Sequence, residues 1–190
     1  MQMENGTIRH RRRSLNIPGH AHEFTFSCYR RFPLLSTDRS RSWLINSLDR
    51  ARRIHGYQIF AYVIMPDHVH LLTLPQRSAY RVSDFLKSAK QPVARRAMNY
   101  LVEEGNVNWL ERLTARQPRG KVERHFWQPG GGYDRNIVSR DAFLAAIAYI
   151  HANPVRAGLV ENPTDFEWSS AKWWEGERDV KLAMDAETLW

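Results

Sequence analysis

Between Tyr57 and Gln76 the chain reads YQIFAYVIMPDHVHLLTLPQ, two mostly apolar runs parted only by a short turn around Pro66-Asp67. Proline cannot donate to a strand ladder, so the first run stops at Pro66. Pro-Asp is turn chemistry, and so short a turn brings the second run back antiparallel to the first. A β-hairpin close to the core is therefore required, and every other element must be arranged around it.

Upstream, HEFTFSCYRRF alternates Phe24, Phe26 and Cys28 with Glu23, Thr25 and Ser27, the period-two pattern of a strand. DRSRSWLINSLDRARRIHG then sets Trp43, Leu44, Leu48, Ala51 and Ile54 at helical spacing and closes on Gly56, a residue suited to a helix C-terminus. Residues 81–104 predict a second helix carrying Phe85, Leu86, Val93, Ala97, Leu101 and Val102, with Pro92 placed to kink or split it. From Gly105 to Val122 the pattern is weak, and a loop or short helical turn is expected. RHFWQPGGGYDRNI turns at its Pro-Gly-Gly-Gly and offers a fourth strand from Tyr133 to Ile137. SRDAFLAAIAYIHANP predicts the last helix, with Ser139 or Asp141 as its cap and Phe143, Ala146, Ile147 and Ile150 as its buried stripe. The aromatic stretch NPTDFEWSSAKWW after Gly158 is expected to pack back on the core.

This order predicts an α+β fold of the ferredoxin-like, split β-α-β kind: an antiparallel sheet, helices on one face, and an added C-terminal helix. Residues 1–21 read as a flexible basic arm containing Arg9, Arg11, Arg12 and Arg13. Residues 22–170 form one domain, and 171–190 a tail. A lone Cys28 leaves no internal disulfide and suits a reducing cytoplasm. No apolar run approaches the ~18–20 residues of a membrane span. The net charge of +8 points to an acidic partner, nucleic acid before any anionic surface.

On a strand, His68 and His70 project to one side with Leu72 and Leu74, while Val69, Leu71 and Thr73 take the other. Their Cβ atoms lie roughly 6.5–7 Å apart, from the strand rise, so both rings can meet one divalent ion. The same pair can equally be structural. Asp67 can orient one ring or close the turn, and the turn is favoured. On the last helix Tyr149 and Asn153, four apart, share one face at the border of the buried stripe, with Arg156 near the same side if the helix runs that far. A phenol one turn from an amide oxygen suits a nucleophile beside a hard divalent ion. Alternatively Tyr149 is a core-edge tyrosine and Asn153-Pro154 starts a new helix. Tyr133, after flexible glycines, ranks well below Tyr149 as a nucleophile, and Tyr100 is remote.

Taken together, MPDHVHLL followed by YIHANPVRAGLV resembles the single-tyrosine HUH transposases, in particular the insertion-sequence transposase-like domain of the REP-associated tyrosine transposases. The similarity spans residues 22–170, and FWQPGGGYDRNI resembles the segment such proteins place before the tyrosine helix. The resemblance implies that His68, His70 and Asn153 hold Mg²⁺ or Mn²⁺. It also implies that Tyr149 attacks single-stranded or hairpin DNA to give a 5′-phosphotyrosine link and a free 3′-hydroxyl. Arg9, Arg11, Arg12, Arg13, Arg95, Arg96 and Arg156 are candidate DNA contacts. Arg52, Arg53, Lys87 and Lys90 are further phosphate candidates, and Trp127, Trp173 and Trp174 candidate base-stacking rings. Two other classes fit the residues: a binding module of this topology without chemistry, and a phosphodiesterase using water in place of Tyr149. The sequence leaves monomer and homodimer equally open.

Overall fold

The computed structural model describes residues 15–116, 120 and 122–185. The basic arm residues Arg9, Arg11, Arg12 and Arg13 lie outside them. Strand β1 (Ala21–Ser27) is followed by helix α1 (Asp38–His55), the hairpin β2 (Tyr57–Ile64) and β3 (His68–Pro75), and helix α2 (Val82–Glu103). A short helix α3 (Val107–Arg112) and a small hairpin, β4 (Thr114–Arg116) with β5 (Val122–Arg124), come next. Strand β6 (Tyr133–Ile137), helix α4 (Arg140–Arg156) and the short helix α5 (Ala171–Trp174) complete the order.

The four-stranded sheet has the order β2-β3-β1-β6, with every neighbouring pair antiparallel. This is the predicted ferredoxin-like arrangement. Helices α1 and α2 cover one face, burying Phe24, Phe26, Val69, Leu71, Leu44 and Phe85 in one cluster. The tyrosine-bearing α4 lies on the other, packing Phe143, Ala146, Ile147 and Ile150 against Phe60, Val63 and Leu72. These are the four residues of the predicted stripe. The alternation in β2 is reset by a register shift between Ile59 and Ala61, so that Phe60 and Ala61 join the α4 side and Tyr62 the other. A bulge of this kind is invisible in a run where nearly every residue is apolar.

Pro92 neither splits α2 nor ends it. A proline at this position leaves the carbonyl of Ser88 without its helical donor, and the Ser47 hydroxyl of α1 donates to that oxygen at 3.2 Å. The neighbouring helix supplies the missing hydrogen bond, so the interruption costs little. The segment from Gly105 to Val122, expected to be a loop or short helical turn, holds the short helix α3 and also, running on to Arg124, the unforeseen β4–β5 hairpin. Residues 15–20 are tied down: the Asn16 side chain accepts from the Val82 amide at 3.1 Å, and Tyr80 donates to the Ile17 carbonyl at 2.9 Å. No helix among the described residues is long and apolar enough to cross a membrane.

The glycine run before β6 has a specific role. Gly132 has φ +79°, and a Cβ there would stand 2.3 Å from the Thr25 carbonyl oxygen on β1. Gly130, at φ +103°, shares the backbone strain but has open space where a Cβ would stand. Gly132→Ala should therefore destabilise the fold by about 2–4 kcal/mol, from left-handed strain plus a backbone clash. Thermal unfolding should fall by roughly 5–15 °C, with Gly130→Ala, which carries the strain without the clash, milder. Equal shifts for the two variants would remove the close-packing explanation.

Candidate functional site

β1 and β3 pair so that Thr25 stands opposite His70, and Ser27 opposite His68. The two imidazoles project toward α4 with ring centroids 4.9 Å apart, and the Tyr149 ring meets His70 edge-on at 5.6 Å. Asn153 and Arg156 follow one and two turns later, and with Thr25 and Arg31 these side chains line one open pocket of about 410 Å³. The sequence-derived set of His68, His70, Tyr149, Asn153 and Arg156 is thus brought together in a single chain.

Each ring is held through the same nitrogen. His68 Nδ1 lies 2.7 Å from Asp67 Oδ1, and His70 Nδ1 lies 2.8 Å from the Thr25 hydroxyl. A proton on each Nδ1 satisfies both contacts and leaves each Nε2 with its lone pair free. Burial lowers the His68 pKa even with Asp67 beside it. Burial, then the neighbouring His68, Arg31 and Arg156, push His70 down to about 4. Both imidazoles are therefore neutral near pH 7, the state that binds a metal.

Asp67 does more than close the turn. Its backbone carbonyl accepts from Cys28 N at 2.8 Å, while its carboxylate bridges His68 and Arg31, the latter through Arg31 Nε at 2.7 Å. The preference for a turn role alone is corrected: Asp67 serves both ends. Arg31 escapes the sequence analysis altogether. It and Arg30 adopt left-handed backbone, φ 58° and 51°, a conformation that costs about 1–3 kcal/mol for each non-glycine residue. Tyr29 N donates to Phe126 O at 2.8 Å and Arg30 N to the Gln128 side chain at 3.2 Å, which pins the turn. The only sequence signal is a pair of arginines just after the first strand, and its position beside His68 depends on strand register.

Asn153 and Pro154 do not begin a new helix, because α4 runs on to Arg156. Pro154 deprives the Ile150 carbonyl of its donor, and Asn153 Nδ2 fills in at 3.3 Å while also donating to Tyr149 O at 2.8 Å. With its nitrogen so engaged, the amide has its oxygen left to offer. Arg156 places its guanidinium 5.1 Å from the Tyr149 ring centroid.

Other candidates are resolved differently. Tyr133 is a strand residue paired with Thr25, and it lines a depression shared with His70 and Tyr149, closer to the site than its glycine-rich flank suggested. Tyr100 lies in a different cavity, against Trp43. Arg95 and Arg96 are exposed on α2, away from this pocket. Arg52 is bound to Asp49 and Asp185, and Arg53 to Asp49, so neither is a free phosphate ligand. Lys90 turns inward to the Gly130 carbonyl at 3.3 Å. Trp127 is core, and Trp174 donates from its indole to Phe60 O at 2.8 Å.

The donor set suits a divalent ion. Among the described residues no three His, Cys, Asp or Glu side chains are grouped so as to hold a metal ion between them, so the pocket offers two neutral imidazoles and one amide oxygen. Such a set leaves an ion's positive charge undiminished and coordination positions open for phosphate oxygens. Asp67→Asn should weaken Mn²⁺ binding by about 10–100-fold, the usual effect of losing a histidine's outer partner. Calorimetric titration checks this; unchanged affinity would show that the carboxylate does not tune the ring.

A ferredoxin-like sheet that presents two neutral histidines to a helix-borne tyrosine, with arginines at the rim, has the make-up of a phosphodiester-processing protein. The family described as "Transposase IS200 like" matches residues 18–153, well over half of the chain, and the chain belongs to that family. A Haemophilus influenzae protein bearing the name REP-associated tyrosine transposase is 24% identical over 180 residues, covering 81% of this chain and 91% of its own. The solved structure of a REP-associated tyrosine transposase bound to a REP hairpin superposes with TM-score 0.64 at 20% identity, covering 94% of this chain and 93% of that one. That likeness confirms the fold. A Deinococcus radiodurans transposase crystal structure, at TM-score 0.43 and 21% identity, is too distant to add to it.

Proposed function

We propose that this transposase-family chain is a metal-dependent endonuclease and strand-transferase for single-stranded DNA, acting where a hairpin meets unpaired strand. The observation that carries it is the meeting of Tyr149 with the His68–His70 pair in one open pocket, ring centroids 5.6 Å and 4.9 Å apart. His68 and His70 through Nε2, and Asn153 through its amide oxygen, would hold Mn²⁺ or Mg²⁺, the nitrogen donors favouring Mn²⁺. A bound divalent ion supplies positive charge to the scissile phosphate as negative charge develops there.

The chain's own residues do the rest. The Tyr149 oxygen bonds to phosphorus and the P–O3′ bond breaks, leaving a 5′-phosphotyrosine linkage and a 3′-hydroxyl. The phenol's proton passes to solvent, and the departing oxygen takes one up. A 3′-hydroxyl attacking the linkage reverses the step and rejoins DNA without external energy, because the phosphodiester's free energy is kept in the covalent bond. Arg156 lines the pocket and suits a phosphate there, while Arg31, also in the lining, is held by Asp67. The meeting of Tyr149 and His70 within one chain supports a site built from a single copy.

Support for hairpin DNA as the substrate comes from the REP hairpin held by the structural neighbour and from the net charge of +8. The test incubates end-labelled hairpins carrying unpaired flanks with the protein and Mn²⁺. A denaturing gel should show a protein–DNA adduct, and digestion should place it on a Tyr149 peptide. Cleavage without an adduct would favour water as nucleophile; tight binding without cleavage would favour a module without chemistry.

A further inference from the structure

Across the sheet from the histidines, a cavity of about 450 Å³ opens between α1, α2 and α3. Its walls include Trp43, Tyr100 and Trp109, each half-buried and so still within reach of a ligand. Two arginines lie over these rings: the Arg39 guanidinium is 4.1 Å from the Tyr100 centroid, and that of Arg112 is 4.4 Å from the centroid of Trp109. No carboxylate lines the cavity. Rings for stacking, guanidiniums for phosphate and no acid is the composition that holds unpaired nucleotides, because every base offers a π-face.

Its location favours that occupant over a peptide. The strained turn after β1 forms a wall of both sites: Arg31 lines the histidine pocket, and Pro33 and Leu34 line the aromatic cavity. Two residues of chain span at most about 7 Å. Between them Phe32 meets Trp109 edge-on at 5.6 Å and carries Arg112 on its own face at 4.7 Å. The two openings are thus joined by one short turn, with the Phe32, Trp109 and Arg112 side chains on the cavity side of it.

We propose that the Trp43–Tyr100–Trp109 cavity is a subsite for unpaired nucleotides of the same DNA strand that enters the histidine pocket. It rests on the function proposed above only in taking DNA as the ligand. Stacking gives it little sequence preference, while Arg39 and Arg112 make it salt-sensitive. It would favour a hairpin with single-stranded flanks over a blunt one.

The experiment measures binding of the full chain, without divalent metal, to a DNA hairpin that is blunt or carries unpaired thymidine tails on both sides. The wild type should prefer the tailed hairpin by roughly tenfold or more, and Trp109→Ala should cut that preference by roughly fivefold or more. Trp109→Phe, which keeps a ring, should retain most of it. Arg112→Ala, at an exposed position, should reduce it in the same direction, and an unchanged melting temperature would show that the loss is not one of folding. No tail preference in the wild type, or a Trp109→Ala loss equal on blunt and tailed DNA, overturns the proposal. The two readings fail separately: a Trp109-dependent tail preference with no covalent adduct leaves the subsite standing and removes the strand-transfer chemistry. An adduct formed without tail preference does the opposite.

Discussion

Tyr149→Phe is expected to abolish the covalent protein–DNA adduct, lowering strand cleavage on the order of a thousandfold or more, as removal of a nucleophile does elsewhere. The substitution deletes one oxygen from a side chain that is 43% exposed. That hydroxyl makes no hydrogen bond among the described residues, so stability should change by less than about 0.5 kcal/mol. The ring would remain against His70 and beneath Arg156, so hairpin binding should be nearly that of the wild type. A normal melting temperature, normal binding and no adduct would together assign the chemistry to a single atom. The second phenol makes the test discriminating. Tyr133 shares a depression with His70 and Tyr149, so Tyr133→Phe belongs beside it. An adduct that survives Tyr149→Phe and disappears in Tyr133→Phe would move the nucleophile from α4 to β6.

His70→Ala should weaken Mn²⁺ binding by at least about a hundredfold, more than the loss of an outer partner such as Asp67. Adduct yield at low Mn²⁺ should fall with it and recover in part as the metal is raised. His70 is only 4% exposed, and its truncation leaves the Thr25 hydroxyl without its 2.8 Å partner. A stability cost of about 1–3 kcal/mol is therefore expected as well. Thr25→Val separates the effects: it loses the hydrogen bond to Nδ1 and keeps both imidazoles. Metal affinity should drop modestly in Thr25→Val and severely in His70→Ala. Unchanged Mn²⁺ affinity in His70→Ala would place the ion elsewhere and make the histidine pair structural.

Much of this architecture is legible in the chain because it rests on local rules. The fourth strand runs from Tyr133 to Ile137 as expected, Ser139 caps α4, and Gly56 ends α1 in left-handed conformation. Alternation placed Val69 and Leu71 on one face of β3, and His68 and His70 on the other, before any partner strand was known. Where local patterns were weak, the expectations were too: the segment after Gly105 holds a helix and a hairpin. Both internal prolines are tolerated for reasons supplied by side chains, Ser47 from the neighbouring helix for Pro92 and Asn153 within α4 for Pro154.

The sequence by itself determined the order of the four sheet strands and the three long helices, the faces of β3 and α4, and the identity of the histidines, tyrosine and asparagine. Period two and period 3.6 are written in the spacing of apolar side chains. Only the tertiary structure decided that Thr25 holds His70, that Arg31 reaches Asp67 from a strained turn, and that Tyr133 shares the site with Tyr149. It alone placed a ring-lined cavity on the opposite face of the sheet, reached by that same turn. These contacts join residues tens of positions apart, and they depend on strand register and on which face each helix covers. Those are decided by burying the whole apolar surface at once, and no local pattern encodes them.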